Sequence, residues 1–301
     1  MNLPQSSYSK EIDNDNLPSM WDLPFENKEE GLPDQFHSQQ GQLLEDTFIP
    51  RNVPPVQVFS GIDMYLYYDQ NHTLWYKRPD WFGVVGVSSL YQGELRLSYV
   101  MWKEKIRPHI IVELLSPGTE DEDLGKTELV PDKSPPKWVV YEQILQVPYY
   151  VVYSRYTEEM LAFQLISGKY EKATLIEGRL PIVELGLSLG VHRCEYKGRE
   201  MPWLRWFTIE GELIPNPQET ALEARKQALE SQLLVTEVRS EFAQTQAELI
   251  QRAETAEIQL NETQAQLTEA EIRAAEAEQK LQLLAAQLQA LGINPQQILG
   301  N

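Results

Sequence analysis

One cysteine, Cys194, is all the 301-residue sequence offers. That excludes a disulfide framework and a cysteine-based zinc cluster, and a lone thiol of this kind reads as a small strand residue. No run approaches the roughly 18 apolar residues of a membrane span. A basic stretch leading into an apolar one is missing near residue 1, so a cytoplasmic protein with no membrane segment is expected. No G-x-G-x-x-G follows a strand and there is no Walker loop, so nucleotide cofactors are not implied. The four histidines, at 37, 72, 109 and 192, show no metal-ligand spacing; His109 is the one that would line a cleft.

Basic charge is also scarce. Against 45 acidic residues stand 26 Lys and Arg, for a net charge of −19. Residues 1–50 hold two basic and ten acidic side chains, and residues 217–291 hold six and thirteen. Phosphate neutralisation supplies most non-specific affinity for DNA, so such a chain suits that task poorly. The deficit lies mainly outside the middle of the chain, however, and a bound cation offsets local negative charge.

What is present begins with a polar segment, residues 1–55, rich in Pro, Asn, Asp, Ser and Glu. Met20-Trp21 and Leu23-Pro24-Phe25 are its isolated apolar anchors, and it reads as an extended acidic arm, partly disordered, lying across a domain. Strand signals follow at residues 62–68, 75–78, 81–87, 95–102 and 110–115, the last being the most apolar and the expected central strand. Pro135-Pro136 precedes one helical face over residues 138–145. Further strands are expected at 148–153, in a hairpin turned by Ser167-Gly168, and through 185–197 and 203–209. Strands interrupted by few helices predict an α/β (α+β) domain with a mixed sheet over residues 56–214.

After Pro215-Asn216-Pro217 the composition changes. Residues 218–291 contain no proline or glycine, and Ala, Glu, Gln and Leu dominate, which predicts one long helix. Leu260, Leu267, Ala274, Leu281 and Leu288 recur every seventh residue, with Thr263, Ala270, Ala277, Leu284 and Leu291 three later. These are the two seam positions of a coiled coil. Earlier, Gln232, Arg239 and Gln246 spoil the frame. Gly292 ends the helix, leaving a tail at 292–301. A single helix would keep an unburied stripe, so a homodimer through residues 218–291 is the favoured reading over a solvated single helix.

Two of the apolar strands carry a carboxylate where packing would prefer an apolar side chain. Asp80 sits at the mouth of one and Glu113 inside the other. A buried, unpaired carboxylate costs several kcal/mol or takes up a proton, so each needs a cation or strong donors. Neighbouring strands would let both face one metal ion, with Lys126 following the acidic segment 120–123. Two carboxylates, an amine and a divalent ion suit phosphodiester hydrolysis. Plainer readings exist for each: a turn-capping Asp80, a surface ion pair for Lys126, and a solvated loop for 120–123. Asp63, Lys103 and Glu104 read as ordinary surface, and Tyr141 as core or a phosphate contact.

Pro79-Asp80, then Val112-Glu113-Leu114-Leu115-Ser116-Pro117-Gly118-Thr119, then Asp123, Lys126, Tyr141 and the 146–152 strand resemble the Uma-two family of endonucleases. That family lies within the restriction-endonuclease-like PD-(D/E)XK superfamily, and the similarity covers about residues 56–205. The superfamily lysine normally stands two places after the acidic residue, where this chain has Leu115; the resemblance implies that Lys126 supplies the amine instead. Of the helix that usually opens the domain, only residues 42–47, with Glu45, are a candidate. The resemblance implies a restriction-endonuclease-like mixed sheet with flanking helices. It implies Mg²⁺ (or Mn²⁺) held by Asp80, Glu113 and the backbone carbonyl of Leu114, and nucleic acid, DNA in the first place, as substrate. The alternative is a catalytically inactive nuclease-like head on a coiled coil, serving assembly or partner binding.

Overall fold

A computed structural model describes residues 17–23, 34–116, 118 and 120–292. The expectations for Pro24-Phe25, Pro117, Thr119, most of the N-terminal arm and the tail beyond Gly292 lie outside those residues. The chain divides into two units, residues 1–221 and residues 222–301.

The first helix among the described residues lies in the segment read as an extended arm and takes in the candidate residues 42–47. Helix α1, Gln35–Thr47, starts on Asp34, whose carboxylate accepts the His37 amide hydrogen bond. Its buried face is Phe36, Gln40, Gly41, Leu43, Leu44 and Thr47, a spacing of one helical stripe. Two of those six are polar and one is glycine, which hides the period. Gln40 is satisfied by exchanging two 2.9 Å hydrogen bonds with the Leu204 backbone, so its burial costs little.

The main sheet has six strands. In chain order they are β1 (Val58–Ile62), β4 (Trp81–Val85), β6 (Ile110–Leu114), β7 (Tyr149–Ser154), β8 (Glu159–Ile166) and β9 (Lys169–Lys172), which is also their spatial order. Within this sheet β6 and β7 alone pair in parallel. A small second sheet has the order β3 (Tyr76–Lys77), β2 (Leu66–Tyr67), β5 (Tyr99–Val100). The single strand expected over 62–68 is interrupted because Asp63 adopts φ 50°. The expected strand 95–102 shrinks to β5 and runs straight into helix α2, Met101–Glu104. A third sheet joins β10 (Arg179–Ile182), β11 (Leu187–Tyr196) and β12 (Arg199–Thr208).

Every residue of β6 is buried, because both faces of the main sheet are covered. Trp81, Ile110, Val112 and Leu114 pack with α1 and the third sheet. Phe82, Ile111, Tyr150 and Val152 point the other way, toward Val140 and Tyr141. Side chains alternate along a strand, so Glu113 belongs to this second face. The crossover from β6 to β7 supplies what covers it: helix α3 (Glu120–Asp123), then α4 (Lys137–Val139), which widens into a π turn over Val140–Ile144.

Helix α5, Pro217–Ala290, runs 74 residues with none buried. Its first turn belongs to the first unit. Asn216 Oδ1 accepts the amides of Gln218 and Glu219 as an N-cap. Arg205, wholly buried, donates two hydrogen bonds to the Glu219 carboxylate at 2.9 and 2.7 Å.

Candidate active site

Strand pairing brings the two expected acids together. Trp81 lies opposite Val112 across β4 and β6, so Asp80, just ahead of β4, reaches the end of β6. Asp80 Oδ2 accepts the Leu114 amide at 2.6 Å, and the Asp80 amide donates to Glu113 Oε2 at 3.3 Å. Glu113, with no exposed surface, is held at its other oxygen by the Tyr141 hydroxyl at 2.9 Å. Tyr141 is thus core and polar partner at once.

The amine beside them is not Lys126. That side chain is 63% exposed and faces Asp121 at 3.8 Å. The ammonium in the site is that of Lys137, 3.0 Å from Glu113 Oε2 and 2.9 Å from Asp123 Oδ1. Asp123, in the segment expected to be a solvated loop, is 2% exposed. The turn after α3 explains the exchange. Gly125 adopts φ 73° and lies so close to the Trp138 ring that a Cβ there would come within 2.7 Å of it. Docking Trp138 on Gly125 draws the neighbouring Lys137 inward and leaves Lys126 on the outer side. One sequence signal marked Lys137: a lysine directly after Pro-Pro, in a first helical turn, stands at the end where the dipole disfavours a cation.

His37 completes the cluster from α1. Its Nδ1 lies 2.7 Å from Asp34 Oδ1 and its Nε2 lies 2.9 Å from the Leu114 carbonyl oxygen. The Ser116 hydroxyl lies 3.2 Å from the same Nε2. Burial alone would lower the pKa of His37, but the Asp34 hydrogen bond, the Asp80 charge and the Leu114 carbonyl outweigh it and raise it.

Burial pushes Glu113 well above the ordinary carboxylate range; Lys137 opposes this, and the nearby Asp123 and Asp80 charges add to it. Asp80 is raised for the same first reason, against Lys137, the Leu114 amide and His37. Lys137 is raised too, because the three carboxylates outweigh the burial that would lower it. Asp80 and Glu113 thus hold protons more tightly than usual even with the Lys137 ammonium beside them. The pocket is short of positive charge.

A divalent cation fits that shortage. Asp80, Glu113 and the Leu114 carbonyl are all oxygen donors, the set preferred by Mg²⁺ and Mn²⁺, and a carbonyl oxygen bonded to His37 keeps a second lone pair. Among the described residues no three His, Cys, Asp or Glu side chains converge as a metal cage. Water would complete the shell, as is usual for Mg²⁺.

The Uma2 family model, described as "Putative restriction endonuclease", matches residues 28–197, more than half of the chain. The chain belongs to the Uma2 family. The match takes in α1, so the Uma2 domain reaches further toward residue 1 than the sequence pattern indicated. Its mixed α/β architecture is that of the restriction-endonuclease-like fold, a group that generally uses a divalent metal. No curated protein matches this Uma2 chain.

The other residues weighed from the sequence lie elsewhere. Asp63 is ion-paired with Arg78. Glu104, read as surface, is 5% exposed and paired with Arg96 at 2.8 Å. His109 sits ahead of β6, at the end opposite Glu113, where its Nδ1 accepts the Val85 amide at 3.4 Å. Among the described residues no helix is long and apolar enough to cross a membrane.

Proposed function

We propose that this protein is a metal-dependent endonuclease that hydrolyses phosphodiester bonds, with DNA as the substrate. The observation that carries the reading is the Lys137 ammonium between Glu113 and Asp123, beside an Asp80 tied to the same strand end. Asp80, Glu113 and the Leu114 carbonyl would hold Mg²⁺ or Mn²⁺. Such an ion lowers the pKa of a bound water and offsets charge growing on the phosphate.

The remaining work falls to the protein. Tyr141 and the Asp80 amide orient the Glu113 carboxylate. His37 fixes the Leu114 carbonyl. Lys137 spends two of its three N–H bonds on Glu113 and Asp123, which leaves one for a phosphate oxygen or the attacking water. Because its pKa is raised, it acts as a charged donor and not as a base. Lys126, far more exposed, is given no part.

Double-strand cleavage needs two sites, and α5 offers a means to pair them. Leu260, Leu267, Leu281 and Leu284 lie 55–64% exposed along it, and a heptad seam buries such a stripe against a second copy. The second reading is an inactive head, favoured by the neutralisation Lys137 already gives Glu113 and Asp123. Calorimetric titration with Mn²⁺ separates the two: the nuclease binds it and Glu113→Ala does not, whereas an inactive head binds none in either form.

A further inference from the structure

A second concavity, of about 580 Å³, opens at the opposite end of β6 from Glu113 and is lined by Tyr68, Gln70, Trp102, Lys105, Arg107 and His109 among others. Its charge stands against that of the chain. In a molecule of net charge −19, no carboxylate lines it, and three basic residues do. Neither Lys105 nor Arg107 has an ion-pair partner among the described residues, although acidic side chains outnumber basic ones by 45 to 26.

The wall bearing these cations is firmly seated. Glu104, the residue before Lys105, is joined to Arg96 by two hydrogen bonds of 2.8 and 3.1 Å. Trp102 is fixed through its indole N–H to the Pro18 carbonyl at 2.9 Å, and Tyr68 through its hydroxyl to Ser134 at 2.6 Å. Because His109 Nδ1 accepts the Val85 amide, its ring proton sits on Nε2, available as a donor. Pre-set aromatic walls, an amide side chain and unpaired cations are the recognition elements of a flat ring carrying an anion.

We infer that this concavity binds a nucleoside phosphate, with Lys105 and Arg107 on the phosphate and Tyr68 and Trp102 flanking the base. The ligand is either a free nucleotide or one unit of a nucleic acid strand; both present the same ring and charge. Gln70 pairs with a base edge and His109 donates from Nε2. The site uses none of the Asp80–Glu113 cluster and needs no metal.

The test is calorimetric titration of the full chain in EDTA with each of the four nucleoside 5′-monophosphates, a short oligothymidylate, and inorganic phosphate. At least one nucleotide or the oligonucleotide is expected to bind saturably and more tightly than phosphate. Lys105→Gln/Arg107→Gln should weaken it on the order of tenfold or more, the loss of one or two charge-assisted contacts. Both substituted residues are exposed, so far-ultraviolet circular dichroism should be unchanged. Glu113→Ala should bind as the wild type does, which keeps this outcome separate from that of the nuclease reading. Monophosphate binding assigns a free nucleotide, and binding of the oligonucleotide alone assigns a strand. No binding beyond that of phosphate, affinity indifferent to the double substitution, or affinity lost in Glu113→Ala would each overturn the inference.

Discussion

Replacing Lys137 by methionine removes the cation from between Glu113 and Asp123 while keeping most of the side chain's bulk. Both carboxylates are at most 2% exposed and the Lys137 side chain is 18% exposed. Breaking a buried pair from one side costs about 3–5 kcal/mol, because the remaining charge is left without compensation. Partial access of water to Lys137 places the expected loss near the lower end, about 3 kcal/mol at pH 8. The pH dependence follows from the direction of the Glu113 shift. Its folded pKa already lies above the ordinary value, and without Lys137 it rises further. Below the ordinary carboxylate range, about 4, the group is protonated folded and unfolded alike. As pH climbs from there toward the raised folded value, the unfolded chain ionises and the folded one does not, so stability is lost upward. The gap between variant and wild type should therefore shrink from pH 8 to pH 5. Urea denaturation in EDTA, followed by tryptophan fluorescence, reads it cleanly: the seven tryptophans lie between residues 21 and 206, and α5 has none. A loss below about 1 kcal/mol at pH 8, or an equal loss at both pH values, would refute the buried ion-pair reasoning.

Three further outcomes are expected. Glu219→Leu should cost about 3–5 kcal/mol in the same assay, since it leaves a wholly buried guanidinium without a counter-charge; Arg205→Met should cost less, because the Glu219 it leaves is 32% exposed, and the reverse order would contradict the ion-pair account. The rise in melting temperature given by Mn²⁺ should grow from pH 5.5 to 8, because Asp80 and Glu113 must give up tightly held protons before binding; a flat or falling trend counts against these ligands. Leu267→Glu with Leu281→Glu should turn a dimer into a monomer in sedimentation, with the helical circular dichroism signal reduced; a wild type already monomeric at tens of micromolar would remove the pairing role of α5.

Half of the candidate cluster was legible in the sequence. Glu113 stood out because an acid amid Ile-Ile-Val and Leu-Leu has no packing rationale, and Asp80 because it opens the neighbouring strand. Those signals are local. Lys137 depends on a tertiary event, the seating of Trp138 on Gly125, which no periodicity announces. Lys126 drew attention by lying nearer in sequence to the acids. His37 was passed over with the first half of α1, because the helix's buried face uses Gln40 and Thr47 in place of apolar residues. Glu104 was read as surface because its partner, Arg96, lies eight residues away across an irregular turn. The strands with continuous apolar runs were easiest to read: β6 and β7 are buried on both faces and so need no alternation. Short β2 and β5 were harder, since Asp63 ends one run by backbone conformation alone.

The most direct test of the account is cleavage of supercoiled plasmid with Mg²⁺ or Mn²⁺ by the wild type, Glu113→Ala, Lys137→Ala and Lys126→Ala, each prepared identically. Nicked and linear product from the wild type and Lys126→Ala, with none from the other two, is the predicted result. Equal cleavage by Glu113→Ala, or loss in Lys126→Ala with Lys137→Ala active, would contradict it.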